Sequence, residues 1–126
     1  RKPSQLINIS SAGGYSMVPN AVTYCASKFF VSAFTEGLHH ELAQDKEAKM
    51  QAKVLAPAAT RTEFGPVATD DASYDYDAAF KRYHSSEEMA EFLLALYDSD
   101  ACVGAVDRNN FEFSLQAAQF DYAGKR

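Results

Sequence analysis

Asn8-Ile9-Ser10-Ser11-Ala12-Gly13-Gly14, followed by Tyr24-Cys25-Ala26-Ser27-Lys28, decides how this chain folds. An apolar run enters a turn of small residues, and soon after it a Tyr and a Lys stand four positions apart. On a helix, residues i and i+4 share a face, so the phenol and the ammonium can address one point. A serine hydroxyl at the end of the preceding strand can reach the same point. Such a trio can move a proton and polarise a carbonyl.

Working outward, Leu6-Ile7-Asn8-Ile9 reads as a strand buried on both faces, as in a parallel sheet, and Ser10 to Asn20 as a loop. A long helix is expected from Val22 or Thr23 to about Ala43, with Thr23 as a candidate cap. Tyr24, Val31, Phe34, Leu38 and Leu42 form one stripe at helical spacing, with Lys28 at its edge. Phe29, Ala33, Glu36 and His40 fall on the opposite side. A helix with apolar residues on both sides wants two partners, the sheet and a second subunit. Met50 to Ala56 reads as a second strand, stopped by Pro57.

Pro57 to Tyr83 has no clear period and carries Tyr74, Tyr76, Phe80 and Tyr83. Such a long irregular segment suits a lid, a binding loop or disorder, with room for a short helix over Asp77 to Tyr83. Ser85 or Ser86 then caps another helix, with Glu87 and Glu88 in its first turn. Its apolar face is Met89, Phe92, Leu93 and Leu96, and it ends near Tyr97. Ala101 to Val106 is a third strand. Asp107 to Asn110 is a turn, Phe111 to Leu115 alternates as a further strand, and the tail from Gln116 is peripheral. Strand, helix, strand, helix, strand implies an α/β sheet with parallel crossovers. There is no internal repeat and no linker.

The 126 residues suffice for one domain with a core, and the 47% hydrophobic content argues for a folded one. A net charge of -5 argues against a nucleic-acid partner. No apolar run is long enough for a membrane span, and Arg1-Lys2-Pro3-Ser4 has no apolar segment behind it to make a signal peptide. Cys25 and Cys102 lie far apart with no metal-ligand spacing, which fits reduced thiols and a cytoplasmic setting. His39, His40 and His84 match no metal pattern.

Tyr-x-x-x-Lys is weak on its own, since chance supplies roughly 0.4 matches in this composition. Taken alone, Tyr24 reads as a half-buried aromatic and Lys28 as a surface lysine lying along its helix. Context raises the signal. The pair opens a helix, a Ser-Ser-Ala-Gly-Gly turn precedes it after an apolar strand, and Pro57 ends the next strand. Together these residues resemble the short-chain dehydrogenase/reductase family, closely from Leu6 to about Phe64 and beyond that by element order.

The resemblance implies part of a doubly wound, Rossmann-like parallel sheet, with residues 1–126 the C-terminal portion of one dehydrogenase domain. It implies a nicotinamide cofactor, NAD or NADP, and an alcohol or carbonyl substrate. The family's catalytic serine stands thirteen residues before its tyrosine, which selects Ser11; Ser10 keeps a structural reading, a hydroxyl bonded to nearby backbone. The family's Tyr and Lys fall on Tyr24 and Lys28, both also cofactor contacts. Its Pro-Gly-x-x-x-Thr segment falls on Pro57, Ala58, Thr60 and Thr62 at the nicotinamide end. Ala58 replaces the usual Gly, at a cost if that position needs a positive φ.

A free phenol ionises near pH 10, and bringing such a group to about 7 takes roughly 4 kcal/mol of preference for the phenolate. A neighbouring ammonium and an oxidised nicotinamide ring are suited to supply it. The family's helix bearing Tyr and Lys also often packs on its own copy, so a homo-oligomer through residues 23–43 is expected.

Much of such an enzyme has no counterpart in this sequence. Among six glycines there is no G-x-G-x-x-G turn for a pyrophosphate. The residue that selects NAD or NADP and the asparagine of the family's tetrad are likewise unmatched. The sequence begins just before the family's fifth strand and reads as a piece of a longer enzyme. A second class of function is a non-catalytic binding or regulatory domain that kept the fold, which Ala58 favours mildly and the intact Ser11, Tyr24 and Lys28 oppose.

Overall fold

The computed structural model describes residues 3–58 and 84–124. Thr60, Thr62, the helix expected over Asp77 to Tyr83 and the aromatic cluster lie outside the described residues. The elements are β1 (Ser4–Ile9), a 3-10 turn (Ala12–Gly14), α1 (Val22–Gln44), β2 (Met50–Ala56), α2 (Ser86–Tyr97), β3 (Val103–Val106) and β4 (Phe113–Gln116). The four strands lie side by side in the order β1-β2-β3-β4. β1 and β2 run parallel, Ser4 facing Met50 and Ile9 facing Leu55, and β2 pairs parallel with β3 at Val54 and Val103. The fold is therefore the expected α/β sheet with parallel crossovers. β4 adds an antiparallel partner to β3, Val106 facing Phe113. A connection of a few residues can only make a hairpin, whereas a parallel partner needs a crossover of a dozen or more.

Burial grades across the sheet. β2, flanked on both edges, has Ala52 through Ala56 buried. β1 was expected to be buried on both faces; it is half-buried or exposed along its whole length, with Ile9 49% exposed. Among the described residues it pairs along one edge only, and that limits what it can bury.

α2 follows its sequence signals. Ser85 is the N-cap, and its hydroxyl accepts from the Glu88 amide while the Glu88 carboxylate accepts from the Ser85 amide. Leu96 is fully buried at its end, and Phe92 stacks on Phe113 at 4.4 Å. Lys53 was not anticipated inside. It stands in the middle of β2 with 1% exposure. Its Nζ donates to the carbonyls of Leu96, Tyr97 and Ser99 at 2.9, 3.3 and 2.5 Å. A cation thereby joins the donors to the carbonyls at the C-terminus of α2 and meets the negative end of the helix dipole.

α1 departs from its pattern. The stripe of Tyr24, Val31, Phe34, Leu38 and Leu42 does not form the buried face. The buried residues are Cys25, Ser32, Thr35 and Glu36, while Phe34 is 56% and Phe30 71% exposed. The contact with β1 is made through hydroxyls: Asn8 Nδ2 donates to Thr35 Oγ1 at 2.9 Å, and Ser10 Oγ lies 2.6 Å from Ser32 Oγ. Small polar side chains let the helix approach closely and turn its phenylalanines outward. The expected cap at Thr23 is also corrected: Ala21 is the N-cap, without a side-chain bond, and Thr23 lies inside the first turn.

The tail is not peripheral. Phe120 stacks on Tyr15 at 5.1 Å and lies 6.0 Å from Phe29, and Tyr122 stacks on His40 at 4.1 Å. The chain's own tail therefore covers Phe29 and His40, part of the face assigned to a second subunit. Phe30 and Phe34, stacked on each other at 6.3 Å, are left outward.

Candidate active site

The strands β1 and β2 run in the same direction, so their carboxyl ends meet at one edge. In open α/β sheets ligands sit outside the carboxyl ends of the strands. Two backbone bonds tie this edge together: Ser10 N donates to Leu55 O and Ala12 N to Pro57 O, both at 2.8 Å. The second bond places the serine turn beside Pro57 and Ala58.

Ser11 caps the 3-10 turn. Its Oγ accepts from the Gly13 amide at 3.0 Å. A hydroxyl that accepts from backbone keeps its own proton to donate elsewhere. Ser10 plays the structural part expected of it. It is 2% exposed, and its Oγ donates to Lys28 O at 3.1 Å besides meeting Ser32. These bonds lock the end of β1 to the turn of α1 that carries Lys28.

Glycine holds the close approach. A Cβ on Gly14 would lie 2.1 Å from Ser10 Oγ, 2.6 Å from Ser32 Oγ and 2.9 Å from the Lys28 carbonyl oxygen. Gly13 reports the approach of Ser11 and Tyr24. A Cβ placed there would sit 3.4 Å from Tyr24 Cε2 and 3.5 Å from Ser11 Oγ. Lys28 Nζ lies 5.9 Å from the Tyr24 ring centre and 3.4 Å from the carbonyl oxygen of Ile9. The hydroxyl of Ser11 and the ring of Tyr24 thus both lie beside Gly13, and the Lys28 ammonium faces that ring and the end of β1. Tyr24 is 38% exposed there. Cys25, next in sequence, is turned inward, and its Sγ accepts from Val18 N at 3.3 Å.

Of the residues singled out from sequence, Ser11, Tyr24, Lys28, Pro57 and Ala58 gather at this edge. Among the described residues the non-glycine positions with positive φ are Asn20 and Phe111. Ala58 is not one of them, so its replacement of Gly carries no left-handed strain. The sequence reading missed the polar layer beneath the site: Asn8, Ser32, Thr35, Glu36 and Tyr15. A usable signal was present, since Ser32, Thr35 and Glu36 follow Cys25 at helical spacing. Among the described residues no group of three His, Cys, Asp or Glu side chains is arranged for a metal, and no helix is long and apolar enough to cross a membrane.

Comparison with known proteins agrees with this fold. A family profile described as short chain dehydrogenase matches residues 1–72. The chain is 35% identical over 107 residues to dehydrogenase/reductase SDR family member 11 of Gallus gallus, covering 83% of this chain and 35% of that protein. It is 33% identical over 91 residues to an uncharacterized oxidoreductase of Staphylococcus saprophyticus, covering 71% of this chain and 37% of the relative. The chain therefore spans about a third of the length of the curated relatives it matches.

Among solved structures, a short-chain dehydrogenase from Sphingobium yanoikuyae in complex with NADPH superposes with a TM-score of 0.68 at 26% identity, over 80% of this chain and 36% of that one. A 3-oxoacyl-[acyl-carrier protein] reductase from Brucella melitensis in complex with NAD gives 0.58 at 28% identity, over 79% and 40%. A profile match over more than half of the residues, on a chain whose sheet superposes on solved short-chain dehydrogenases, leads to one conclusion: the chain belongs to the short-chain dehydrogenase family.

Proposed function

We propose that the protein containing this chain is an oxidoreductase that passes a hydride between a nicotinamide dinucleotide, NAD or NADP, and an alcohol or carbonyl. The observation that carries this reading is the convergence of Ser11 Oγ and the Tyr24 ring on Gly13, with Lys28 Nζ 5.9 Å from that ring. The NADPH and NAD in the two solved relatives support the choice of cofactor.

The residues present fit one end of such a cofactor. The ammonium of Lys28, the phenol of Tyr24 and the backbone at Pro57 and Ala58 would hold the nicotinamide and its ribose, with Thr60 and Thr62 next in sequence. The sequence holds no G-x-G-x-x-G pattern for the pyrophosphate. When bound, the dinucleotide supplies or accepts the hydride.

The chain's own groups do the rest. Ser11 Oγ, already accepting from the Gly13 amide, points its proton at the substrate oxygen and fixes that oxygen in place. Tyr24 gives a proton to that oxygen in reduction and takes it back in oxidation. Lys28 places a positive charge 5.9 Å from the centre of the phenol ring, on the side where the cofactor's ribose would lie. The outward Phe30 and Phe34 on α1, 71% and 56% exposed, support self-association through this helix in the intact enzyme.

Replacing Tyr24 tests the reading. In the intact protein, Tyr24→Phe should lower carbonyl reduction about 10²- to 10⁴-fold, the worth of a positioned proton donor, with dinucleotide affinity kept within a few-fold. Unchanged turnover removes Tyr24 from this role.

A further inference from the structure

We propose that Glu36 is a positioning residue for the Ser11 turn, clamping the tail at residues 117–122 against Tyr15 so that the tail holds the serine in place. This rests on the reading of Ser11 as the group that meets the substrate oxygen.

Three donors converge on one buried carboxylate. Glu36 is 2% exposed. Its Oε1 accepts from the backbone amides of Gln119 at 2.9 Å and Phe120 at 2.8 Å, and its Oε2 accepts from the Tyr15 hydroxyl at 2.6 Å. A buried carboxylate persists only when such donors satisfy it. The tail and the serine turn are otherwise separated by more than a hundred residues of sequence. They meet at this side chain and in the stack of Phe120 on Tyr15 at 5.1 Å.

Tyr15 is the link to the site. It closes the 3-10 turn that Ser11 opens, its amide donating to Ala12 O at 3.2 Å. Burial first, and then the Glu36 carboxylate, push its phenol ionisation well above the ordinary range, so it stays a hydrogen-bond donor. The turn leans on α1 through the contacts of Ser10 and Gly14, and Tyr15 ties it further to Glu36 on the same helix and to the tail through Phe120. Loss of the clamp frees the turn from the tail while leaving the sheet intact.

Amide hydrogen exchange on the intact protein tests this without an assay of turnover. The Gly13 amide is bonded to Ser11 Oγ and reports the hydroxyl directly, while the Val54 amide in β2 reports global opening. Glu36→Leu should speed exchange at Gly13, Gly14, Gln119 and Phe120 about tenfold and leave Val54 unchanged. Glu36→Gln should restore most of that protection, because its carbonyl can accept from both tail amides and its NH2 can donate to the Tyr15 oxygen.

Tyr15→Phe, the milder variant, should speed the turn amides while sparing those of Gln119 and Phe120. If the turn amides stay protected in Glu36→Leu and Tyr15→Phe, the tail does not hold the serine and the inference is overturned. Equal acceleration at Val54 also overturns it, since the effect is then global. If Ser11→Ala retains full turnover, the reading of Ser11 fails on its own, whatever the exchange shows.

Discussion

The two described helices meet the same sheet by different chemistry. α2 turns an apolar face to the sheet, with Met89, Phe92 and Leu93 half-buried and Leu96 without exposure, and its capping box and stacked Phe92 agree with its sequence pattern. α1 buries Cys25, Ser32, Thr35 and Glu36 and leaves two phenylalanines in solvent. The α2 contact with β3 is core. The contact of α1 with β1 and the serine turn is a hydrogen-bonded layer under a candidate site. The difference teaches that apolar periodicity locates the part of a domain that supplies stability, and that a helix whose buried face is polar marks the part held in register for chemistry.

The contrast breaks most readily at Leu96. Leu96→Ala should cost about 2–5 kcal/mol, the range for an emptied core leucine, measured by chemical denaturation. Exchange at Gly13 relative to Val54 should not change. A selective rise at Gly13 would show that the two regions are not separable.

Gly14→Ala probes the other side. The new methyl meets Ser10 Oγ, Ser32 Oγ and the Lys28 carbonyl, of which the carbonyl is backbone and cannot rotate away. The expected loss is about 1–3 kcal/mol, as for overpacking, together with a fall in turnover, because α1 must move away from Ser11. Full activity in Gly14→Ala would contradict the close approach.

The smallest effect is expected from pH. His39 is held below its ordinary value of 6.5, first by burial and then by His40, with Glu36 opposing. A depressed histidine binds fewer protons in the folded state than in the unfolded one. Stability should therefore fall as pH drops below about 6.5 and until the lowered value is passed. One proton limits the slope to about 1.4 kcal/mol per pH unit. Glu88 and Asp107, both held below the ordinary carboxylate range by backbone bonds, act only in a more acid window. His39→Asn should flatten the upper window; an unchanged profile would assign the slope to other groups.

The strand at Met50–Ala56, both helices and the parallel order were legible, because each is written in local residues: apolar runs, a Ser-x-x-Glu cap and a proline stop. The serine turn at the end of β1 and the four-residue step from Tyr24 to Lys28 on α1 were legible as spacing. What escaped were pairings between residues far apart. Nothing near Lys53 says that the end of α2 will offer it three carbonyls, and nothing near Glu36 says that the tail will supply two amides. The wrong face of α1 has the same origin. Hydroxyls at Ser32 and Thr35 look solvent-facing until Ser10 and Asn8 are placed opposite them, and only tertiary structure does that.

The most direct test of the account is a nicotinamide fluorescence titration of the intact protein with NADH and NADPH, run beside Lys28→Ala. Saturable binding of at least one dinucleotide, weakened tenfold or more by the substitution, is the expected result. No binding of either, or binding indifferent to Lys28, would contradict it.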